Sequence, residues 1–355
     1  MVDIANSDSS NIFSSELSDG QFWKKSDTIN RIDHNENLVG FIEKFKDKTI
    51  AVVGDLALDW HVRGDAERIN PEMPAATLIR VVDERYSLGC AGNVAANLAA
   101  LGSKVVFYTR THKDYHGEAL KKIFSDLKID LVSVESPGAT IVKQRIMERA
   151  HNHYVGRVDY GESQFNILDE NQAEIIFQLI SSSEGLNGII LSDYNKGLFS
   201  GNLSERIINW ANEKGIPVFI DPKPKNISRF RNATLIRPNE KEAREIVGSE
   251  CVSIESVLNK LKEISRAKYT IVTRGKEGMA VLDGDYHSIG TKVKEVVDVT
   301  GAGDTVMATL ALSMISGASV VEAANLANYA AGIVVEKPGT ATVSREELLD
   351  RINQS

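Results

Sequence analysis

Residues 298–304 read DVTGAGD and continue directly into TVMATL at 305–310. Val306, Leu310 and Met314 recur at helical spacing after this turn, which predicts a helix that begins at the end of the turn. Before the turn, residues 292–299 alternate toward valine as a strand does. The segment therefore predicts a strand, a tight glycine turn and a helix.

The two glycines of this turn leave room for an anion. Gly301 and Gly303 lack the Cβ atom that would keep backbone N–H groups from closing on a ligand. The start of the predicted helix adds roughly half a positive charge to those donors. Asp304 follows at once, and this field favours its ionised form beside any hydroxyl brought to the anion. The turn fits a transferring phosphoryl group with a base next to it, although a plain turn with Asp304 as a helix N-cap fits the same residues.

Short apolar runs alternate with helical patterns along most of the chain. This alternation predicts an α/β fold with a central, mostly parallel sheet and helices on both faces. Ligands of such sheets bind at the carboxyl ends of the strands. Strand-like runs occupy 50–53, 105–108, 188–191, 218–220, 235–236 and 269–272, and helical patterns occupy 94–101, 117–127, 203–214 and 257–264.

Two segments, about 60–86 and 139–160, depart from this rhythm. Each contains an alternating run, at 77–82 and 140–147, with no helical pattern inside the segment. We expect them to form a separate small antiparallel sheet that acts as a lid. Residues 1–40 are polar and lack sustained periodicity, which predicts a tail with a short helix near 38–45, followed by a folded domain at 41–355.

Composition narrows the class of ligand. The 355 residues are 42% hydrophobic, enough for a large core, and the net charge is −8 without a long run of Lys or Arg. This balance argues against nucleic acid or an anionic membrane as the main partner and favours a small molecule. Two cysteines, no apolar stretch of about 20 residues and no signal-peptide pattern lead us to expect a reducing compartment, the cytoplasm.

Polar side chains follow several of the predicted strands. Asp59 lies shortly after the first one, and a carboxylate there can accept two hydroxyl protons from a polyol. Gly89 and Asn93 belong to a second glycine turn before a helix, where Asn93 also fits a plain N-cap. Lys223 follows the strand at 218–220, stiffened by Pro222, and can offset the charge of a nucleotide.

An N-x-x-E pattern, Asn239 to Glu242, follows the strand at 235–236. One helical turn separates the two side chains, so both oxygens can order water around Mg²⁺.

The seven residues at 298–304 resemble the C-terminal signature of the ribokinase family of carbohydrate kinases, and the resemblance extends over about 47–353. It implies an ATP-dependent kinase with a ribokinase-like fold, in which Asp304 is the catalytic base and Gly301, Ala302 and Gly303 form the anion hole. The implied substrate contacts are Asp59, Gly89 and Asn93, and the implied nucleotide contacts are Asp193, Lys223, Asn239, Thr273, Gly275 and Asn328, with Lys196 as a weaker candidate. Asn239 and Glu242 are the implied Mg²⁺ residues, and Asp298, Thr300 and Gly339 the implied site for a monovalent cation, K⁺.

Within that family, several motifs resemble the manno-heptose 7-phosphate kinase domain. They are GDLALD at 54–59, RINPEMP at 68–74, the stretch 88–101, SDYNKG at 192–197, DPK at 221–223 and VEKPGTATVS at 335–344. The implied reaction phosphorylates the anomeric hydroxyl and gives the 1,7-bisphosphate. Lys143, Arg145, Arg149 and Arg157 are then candidates for the distal phosphate.

The chain departs from that group at two places near the sugar. Ala75, Ala76 and Thr77 replace its usual Val-Pro-Val run, and Asn195 replaces a glycine. A kinase for another sugar, such as fructose or ribose, therefore stays open, as does a regulatory protein that binds a sugar or nucleotide without turnover. The lid is too small to bury an apolar face alone, so we expect a homodimer through the lid.

Overall fold

A nine-stranded sheet runs through the computed structural model, which describes residues 35–66, 70–72, 77–150, 153–162, 167–293 and 295–354. All neighbouring strands are parallel except for the β11–β12 and β12–β13 pairs, so the predicted mostly parallel sheet is confirmed. Across the sheet the order is β13 (Tyr286–Ile289), β12 (Met279–Leu282), β11 (Tyr269–Thr273), β10 (Leu235–Ile236), β9 (Val218–Asp221), β8 (Gly188–Ser192), β1 (Thr49–Gly54), β4 (Lys104–Thr111) and β5 (Asp130–Glu135).

Helices cover both faces of this sheet. Strand β1 shows why, because Ile50 and Val52 point into one apolar core while Ala51 and Val53 point into the other. The first core contains α1 (Asn35–Glu43), α2 (Ala91–Ala100), α3 (Tyr115–Asp126), α8 (Ala302–Ile315), α9 (Val320–Val335) and α10 (Arg345–Asn353); the second contains α4 (Glu170–Ser181), α5 (Leu203–Glu213), α6 (Glu240–Val247) and α7 (Ile254–Ser265). Within the described residues, no helix is both long and apolar enough to cross a membrane.

The predicted short helix near residue 38 is present as α1. Leu38 and Ile42 of α1 are buried in the first core. Helix α1 therefore belongs to the compact unit that begins at Asn35. The rest of the predicted tail, residues 1–34, lies outside the described residues, as do Arg68, Ile69 and residues 73–76 of the motifs noted above.

A second, four-stranded sheet, called the lid sheet below, forms from the two segments for which a lid was predicted. Its order is β3 (Arg80–Cys90), β2 (Leu56–Asp65), β6 (Val142–Glu148) and β7 (His153–Tyr160). The separate small sheet is as expected, but a wholly antiparallel pairing was wrong, because β2 and β6 are parallel. Each of these two strands leaves the same edge of the central sheet and returns through an antiparallel partner. Only Asp55 separates β1 from β2. Asp59, which was predicted to lie in a loop after the first strand, is therefore part of β2 in the lid sheet.

The prediction of a strand at 292–299 is also wrong. The described residues of this segment form a loop in which Val296, Val297 and Val299 are exposed. The backbone N–H groups of Val297 and Asp298 both donate to the carbonyl of Val335, at the end of α9, at 2.8 and 3.1 Å. The loop thus lies beside a helix end instead of joining the sheet beyond β13, and its valines face an open cleft.

Candidate active site

A cleft of about 680 Å³ opens at the carboxyl ends of β9, β10 and β11. The start of α8 and the middle of α9 form its other wall. This is the edge of a parallel sheet at which ligands bind. The structure brings the following predicted residues together in the lining: Lys223, Asn239, Glu242, Thr273, Gly275, Gly301, Ala302, Gly303, Asp304 and Asn328.

Asp304 is buried in the first turn of α8. The N-cap of this helix is Gly301, so the plain interpretation of Asp304 as a cap is wrong. Its Oδ2 accepts a hydrogen bond from Nδ2 of Asn93 at 2.8 Å, and its Oδ1 accepts one from the hydroxyl of Tyr194 at 2.5 Å. Burial raises the pKa of Asp304, while these two donors and the nearby Arg237 oppose the rise.

The glycine turn packs tightly against its neighbours. Gly301 has a φ of +81°, and a Cβ atom there would lie 2.6 Å from Nδ2 of Asn93. A Cβ atom on Gly303 would approach the guanidinium of Arg237 at 3.4 Å. Only glycine at 301 permits both this backbone and the hydrogen bond from Asn93 to Asp304.

A buried ion pair lies beside the turn. Nη2 of Arg237 is 2.5 Å from Oδ2 of Asp221, and Nε of Arg237 is buried without a hydrogen-bond partner. Burial raises the pKa of Asp221 to about 6, although Arg237 acts in the opposite direction. A cation with an unsatisfied donor next to an N–H-lined turn favours a bound anion.

The lid side of the site is built around Asp59. This carboxylate is buried on β2, with its Oδ1 2.7 Å from Nη1 of Arg145 on β6. Gly89, on the neighbouring strand β3, makes room for it, because a Cβ atom at 89 would lie 2.9 Å from Oδ1 of Asp59. Asn93 is inside α2, whose N-cap is Cys90, so its alternative interpretation as an N-cap was wrong.

Lys143 and Arg145 lie on the same strand but at different places in the site. Nζ of Lys143 is 3.2 Å from Sγ of Cys90 and 5.6 Å from the ring centre of Tyr194, whose hydroxyl binds Asp304. Arg145 instead lines a second cavity of about 520 Å³ between the lid sheet and residues 297–300. Arg157 and His61 line the same cavity.

The three residues predicted for a monovalent cation meet at the edge of this second cavity. Oδ1 of Asp298 accepts the N–H of Thr300 at 2.8 Å, and Oδ2 accepts the N–H of Gly339 at 3.0 Å. Burial alone would raise the pKa of Asp298, but the bonds from Thr300 and Gly339 hold it below its usual value. The carboxylate therefore joins the loop before the glycine turn to the loop at Gly339.

The two residues of the N-x-x-E pattern cap a helix and also line the cleft. Asn239 is the N-cap of α6 and exchanges two hydrogen bonds with Glu242, at 2.9 and 3.1 Å. The other oxygen of Glu242 is 2.5 Å from Nζ of Lys223. Over the described part of the chain, no three His, Cys, Asp or Glu side chains cluster as a ready-made metal site.

Three charged residues singled out in the sequence have other contacts. Asp193 is buried and accepts hydrogen bonds from the backbone N–H groups of Asn195 and Lys223, at 2.7 and 3.1 Å, so it shapes the loops beneath the cleft instead of lining the cleft. Nζ of Lys196 is 2.6 Å from Glu162, and Nε of Arg149 is 3.0 Å from Asp65 at the far end of β2.

Tyr194, Asp221 and Arg237 are site residues that the sequence patterns did not predict, although Tyr194 and Asp221 lie inside the quoted motifs and Arg237 lies two residues before the N-x-x-E pattern. All three lie at the carboxyl end of a strand. Asp221 is the last residue of β9, Arg237 is the first residue after β10, and Tyr194 is the second residue after β8. Their position at the carboxyl ends of parallel strands was the available signal.

Residues 47–347 match the family described as pfkB family carbohydrate kinase. Among curated proteins, the chain is 39% identical over 311 residues to the protein named Bifunctional protein HldE of Campylobacter concisus, covering 86% of this chain and 65% of that one. It is 39% identical over 317 residues to the protein of that name from Pasteurella multocida, covering 87% and 64%. The chain thus spans slightly less than two thirds of the length of these relatives.

Solved structures share the fold at lower sequence identity. Phosphofructokinase-2 from Escherichia coli, in complex with potassium, superposes with a TM-score of 0.72 at 19% identity, covering 86% of this chain and 98% of that one. Ribokinase from Thermotoga maritima gives a TM-score of 0.65 at 20% identity, covering 86% and 99%. The ribokinase-like fold predicted from the sequence is therefore confirmed.

The packing of the glycine turn predicts the effect of Gly301→Ala. A Cβ atom at φ +81° costs about 1–2 kcal/mol of backbone strain, and its overlap with Asn93 adds roughly 1–3 kcal/mol. Gly201→Ala is the matched control, since Gly201 has a φ of +70° and no heavy atom within 4 Å of the added Cβ. Urea unfolding should show the larger loss of stability for Gly301→Ala. Equal losses in the two variants would mean that Asn93 does not constrain the turn.

Proposed function

The chain belongs to the pfkB family of carbohydrate kinases, and on that basis we propose that it transfers the γ-phosphoryl group of ATP to the anomeric hydroxyl of a manno-heptose 7-phosphate, giving the 1,7-bisphosphate. The observation that carries this proposal is the position of Asp304. Its buried carboxylate lies between the cleft at the sheet edge and the residues of the lid, where a nucleotide phosphate and a sugar hydroxyl would meet.

In this proposal each part of the site has one task. Asp59 and the backbone at Gly89 hold the sugar hydroxyls, and Asp304 accepts the proton of the attacking hydroxyl. The N–H groups at 301–303 and the guanidinium of Arg237 stabilise the charge of the transferring phosphoryl group. The lid excludes water, which would otherwise accept the phosphoryl group.

The cleft residues fit the expected cofactors. Carbohydrate kinases of this family use ATP, and Lys223, Thr273, Gly275 and Asn328 are the proposed contacts for it. Asn239 and Glu242 would hold Mg²⁺ through water, since Mg²⁺ keeps several waters and takes few protein ligands. The bound ion would neutralise phosphate charge. Asp298, Thr300 and Gly339 are proposed to hold K⁺ through backbone oxygens at the second cavity.

The second cavity supports a phosphorylated sugar over an unphosphorylated one. Arg145 and Arg157 both line it, and Arg145 also contacts Asp59, the proposed sugar clamp. A sugar held at Asp59 would thus extend a distal phosphate toward Arg157. Lys143 contacts Cys90 and Arg149 is paired with Asp65, and neither residue lines this cavity. Arg157, whose Nη2 is 2.8 Å from Oδ2 of Asp159, does line it and is the proposed contact for the distal phosphate.

One departure from the heptose kinase motifs does not touch either cavity. Asn195 has a φ of +54°, a conformation that favours glycine, and its Oδ1 accepts a bond from Asn226 at 3.3 Å. The side chain therefore replaces a glycine of the loop without entering the sugar cavity. A fructose- or ribose-like substrate is the alternative, and it predicts no role for Arg157. Because the chain keeps Asp304 and the glycine turn, a regulator without turnover is the weaker alternative.

We also propose a homodimer through the lid, in a reducing, cytoplasmic compartment. Both cysteines are free thiols, which fits that compartment. Exposed apolar side chains on the lid sheet, which a partner lid would cover, are Val81, Val82, Val155, Val158 and Tyr160.

The dimer predicts a response to charge on the lid. Light scattering at micromolar concentration should give the mass of two chains for the wild type, and Val158→Glu should shift it toward one chain because a buried charge is costly. Val252→Glu, on the exposed connection between α6 and α7, should leave the dimer intact. A wild-type monomer at this concentration would exclude the dimer.

The base role predicts the effect of Asp304→Asn. The shape of the side chain is retained, so nucleotide affinity should stay within about twofold, while turnover should fall by a factor on the order of 10² to 10⁴, the contribution of a positioned base. Asp169→Asn is the control, because Asp169 caps α4 through the N–H of Gln172 at 2.8 Å and asparagine caps equally well. Turnover of Asp304→Asn within about threefold of wild type would remove Asp304 from the mechanism.

The distal-phosphate site predicts a substrate-specific loss in Arg157→Gln. One lost charge-assisted contact should lower kcat/KM for the heptose 7-phosphate about 10- to 100-fold and leave residual activity on unphosphorylated heptose unchanged. Arg149→Gln is the matched control, because Arg149 directly follows β6, is also paired with a carboxylate, Asp65, and does not line the cavity. Arg145→Gln should impair both sugars, because it also leaves Asp59 buried without its cation. Parallel losses on both sugars in Arg157→Gln, or no loss, would favour the unphosphorylated-sugar alternative.

A further inference from the structure

Tyr194 has the closest contact to Asp304 of any side chain in the described part of the chain. Its hydroxyl donates to Oδ1 of Asp304 at 2.5 Å, and Asn93 donates to Oδ2 at 2.8 Å. Each carboxylate oxygen offers two lone pairs. The two donors therefore fix the plane of the carboxylate and leave a further lone pair on each oxygen for an incoming hydroxyl.

Two lysines and a small apolar cluster surround the ring of Tyr194. Nζ of Lys143 lies 5.6 Å from the ring centre and Nζ of Lys223 lies 5.4 Å from it. The ring also packs against a small apolar cluster formed by Ala57, Cys90 and Ile141. Two cations and an apolar floor restrict the ring, so its hydroxyl has few positions other than the one at Asp304.

Buried carboxylates hold the backbone that carries this ring. Oδ2 of Asp55 accepts the N–H groups of Tyr194 and Lys196 at 3.2 and 3.0 Å, and its Oδ1 accepts the N–H of Leu198 at 3.1 Å. Asp193 accepts the N–H of Asn195 on the same loop. Asp55 thus fixes the loop from which Tyr194 projects.

We propose that Tyr194 is a positioning residue for Asp304, which its hydroxyl orients and keeps as an acceptor; the inference rests on the proposed role of Asp304 as the base. Tyr194 keeps its own proton throughout, and the proton of the sugar hydroxyl passes to Asp304. Burial and the neighbouring Asp304 carboxylate raise the pKa of Tyr194 well above its usual value, so the side chain stays a donor over the whole working range of pH.

The hydroxyl of Tyr194 also opposes the effect of burial on the pKa of Asp304. Burial raises the pKa of Asp304, and the bond from Tyr194 lowers it. A base must be ionised, so turnover falls as the pH drops through the pKa of Asp304. Losing the hydroxyl should raise that pKa and move the acid limb of the pH profile to higher pH. The other charged or titratable groups that face this pair are Asp59, Cys90, Lys143, Asp221, Lys223 and Arg237.

Tyr194→Phe tests the proposal, because it removes the hydroxyl and retains the ring. We expect kcat at the pH plateau to fall on the order of 10-fold, the KM for ATP to stay within about twofold, and the acid limb to move to higher pH. Tyr108→Phe is the matched control, because Tyr108 is a buried tyrosine whose hydroxyl is 2.5 Å from Oγ of Ser183 and which does not line the cleft. It should lower thermal stability without moving the pH profile. An unchanged kcat and acid limb in Tyr194→Phe would overturn the proposal.

A second comparison separates this inference from the proposed function. Adding Tyr194→Phe to Asp304→Asn should lower the residual turnover no further, since the hydroxyl acts through the carboxylate. An equal loss in both backgrounds would overturn the role of Tyr194 and leave that of Asp304 standing. High turnover of Asp304→Asn alone would instead remove the proposed base, and this inference with it.

A third variant tests the proposal even if Tyr194→Phe folds poorly. Replacement of Tyr194 by 3-fluorotyrosine retains the ring and the hydroxyl and makes the hydroxyl a stronger donor. The acid limb should then move to lower pH, opposite to the shift in Tyr194→Phe. A shift to higher pH, or none, would contradict the proposal.

Discussion

The hydrogen bonds that Asp304 accepts from Asn93 and Tyr194 join three parts of the chain that are far apart in sequence, 211 and 110 residues from the carboxylate. Asn93 comes from α2, directly after the lid strand β3, and Tyr194 comes from the loop after β8. A carboxylate buried here is costly unless it is hydrogen-bonded. The two donors offset that cost, and they fix the relative positions of α2, the sheet edge and α8, on which both cavities depend.

Three further carboxylates, two of them buried, extend this constraint through the molecule. Asp55 ties the start of the lid sheet to the loop that carries Tyr194, and Asp59 ties β2 to β6 through Arg145. Asp298 joins the loop before the glycine turn to Gly339. Glycines accompany these contacts, since Gly89 makes room for Asp59 and Gly301 for Asn93. The conspicuous carboxylates and glycines of the sequence are therefore largely parts of one network around Asp304.

Local patterns in the sequence predicted the sheet, the helices on both faces, the lid sheet and the cleft at the strand ends. The valines at 292–299 predicted a strand that is not there, because such an alternation looks the same in sequence whether the side chains face a core or an open cleft. Local patterns also could not predict that β2 and β6 are parallel, since pairing depends on which edge of the central sheet each strand leaves. Lys143 and Arg145 were grouped by proximity in sequence, and only the three-dimensional contacts separated them. Tyr194 and Arg237 were missed because their partners, Asp304 and Asp221, are distant in sequence.

The most direct test of the account follows the phosphoryl group itself. The wild-type protein, with Mg²⁺ and ATP, should be incubated with heptose 7-phosphate and, in parallel, with unphosphorylated heptose, fructose and ribose, and the products examined by ³¹P NMR. The account predicts a new anomeric phosphate signal with an equal amount of ADP, formed fastest from heptose 7-phosphate. Phosphorylation of fructose or ribose at a higher kcat/KM, or transfer to a hydroxyl other than the anomeric one, would contradict it.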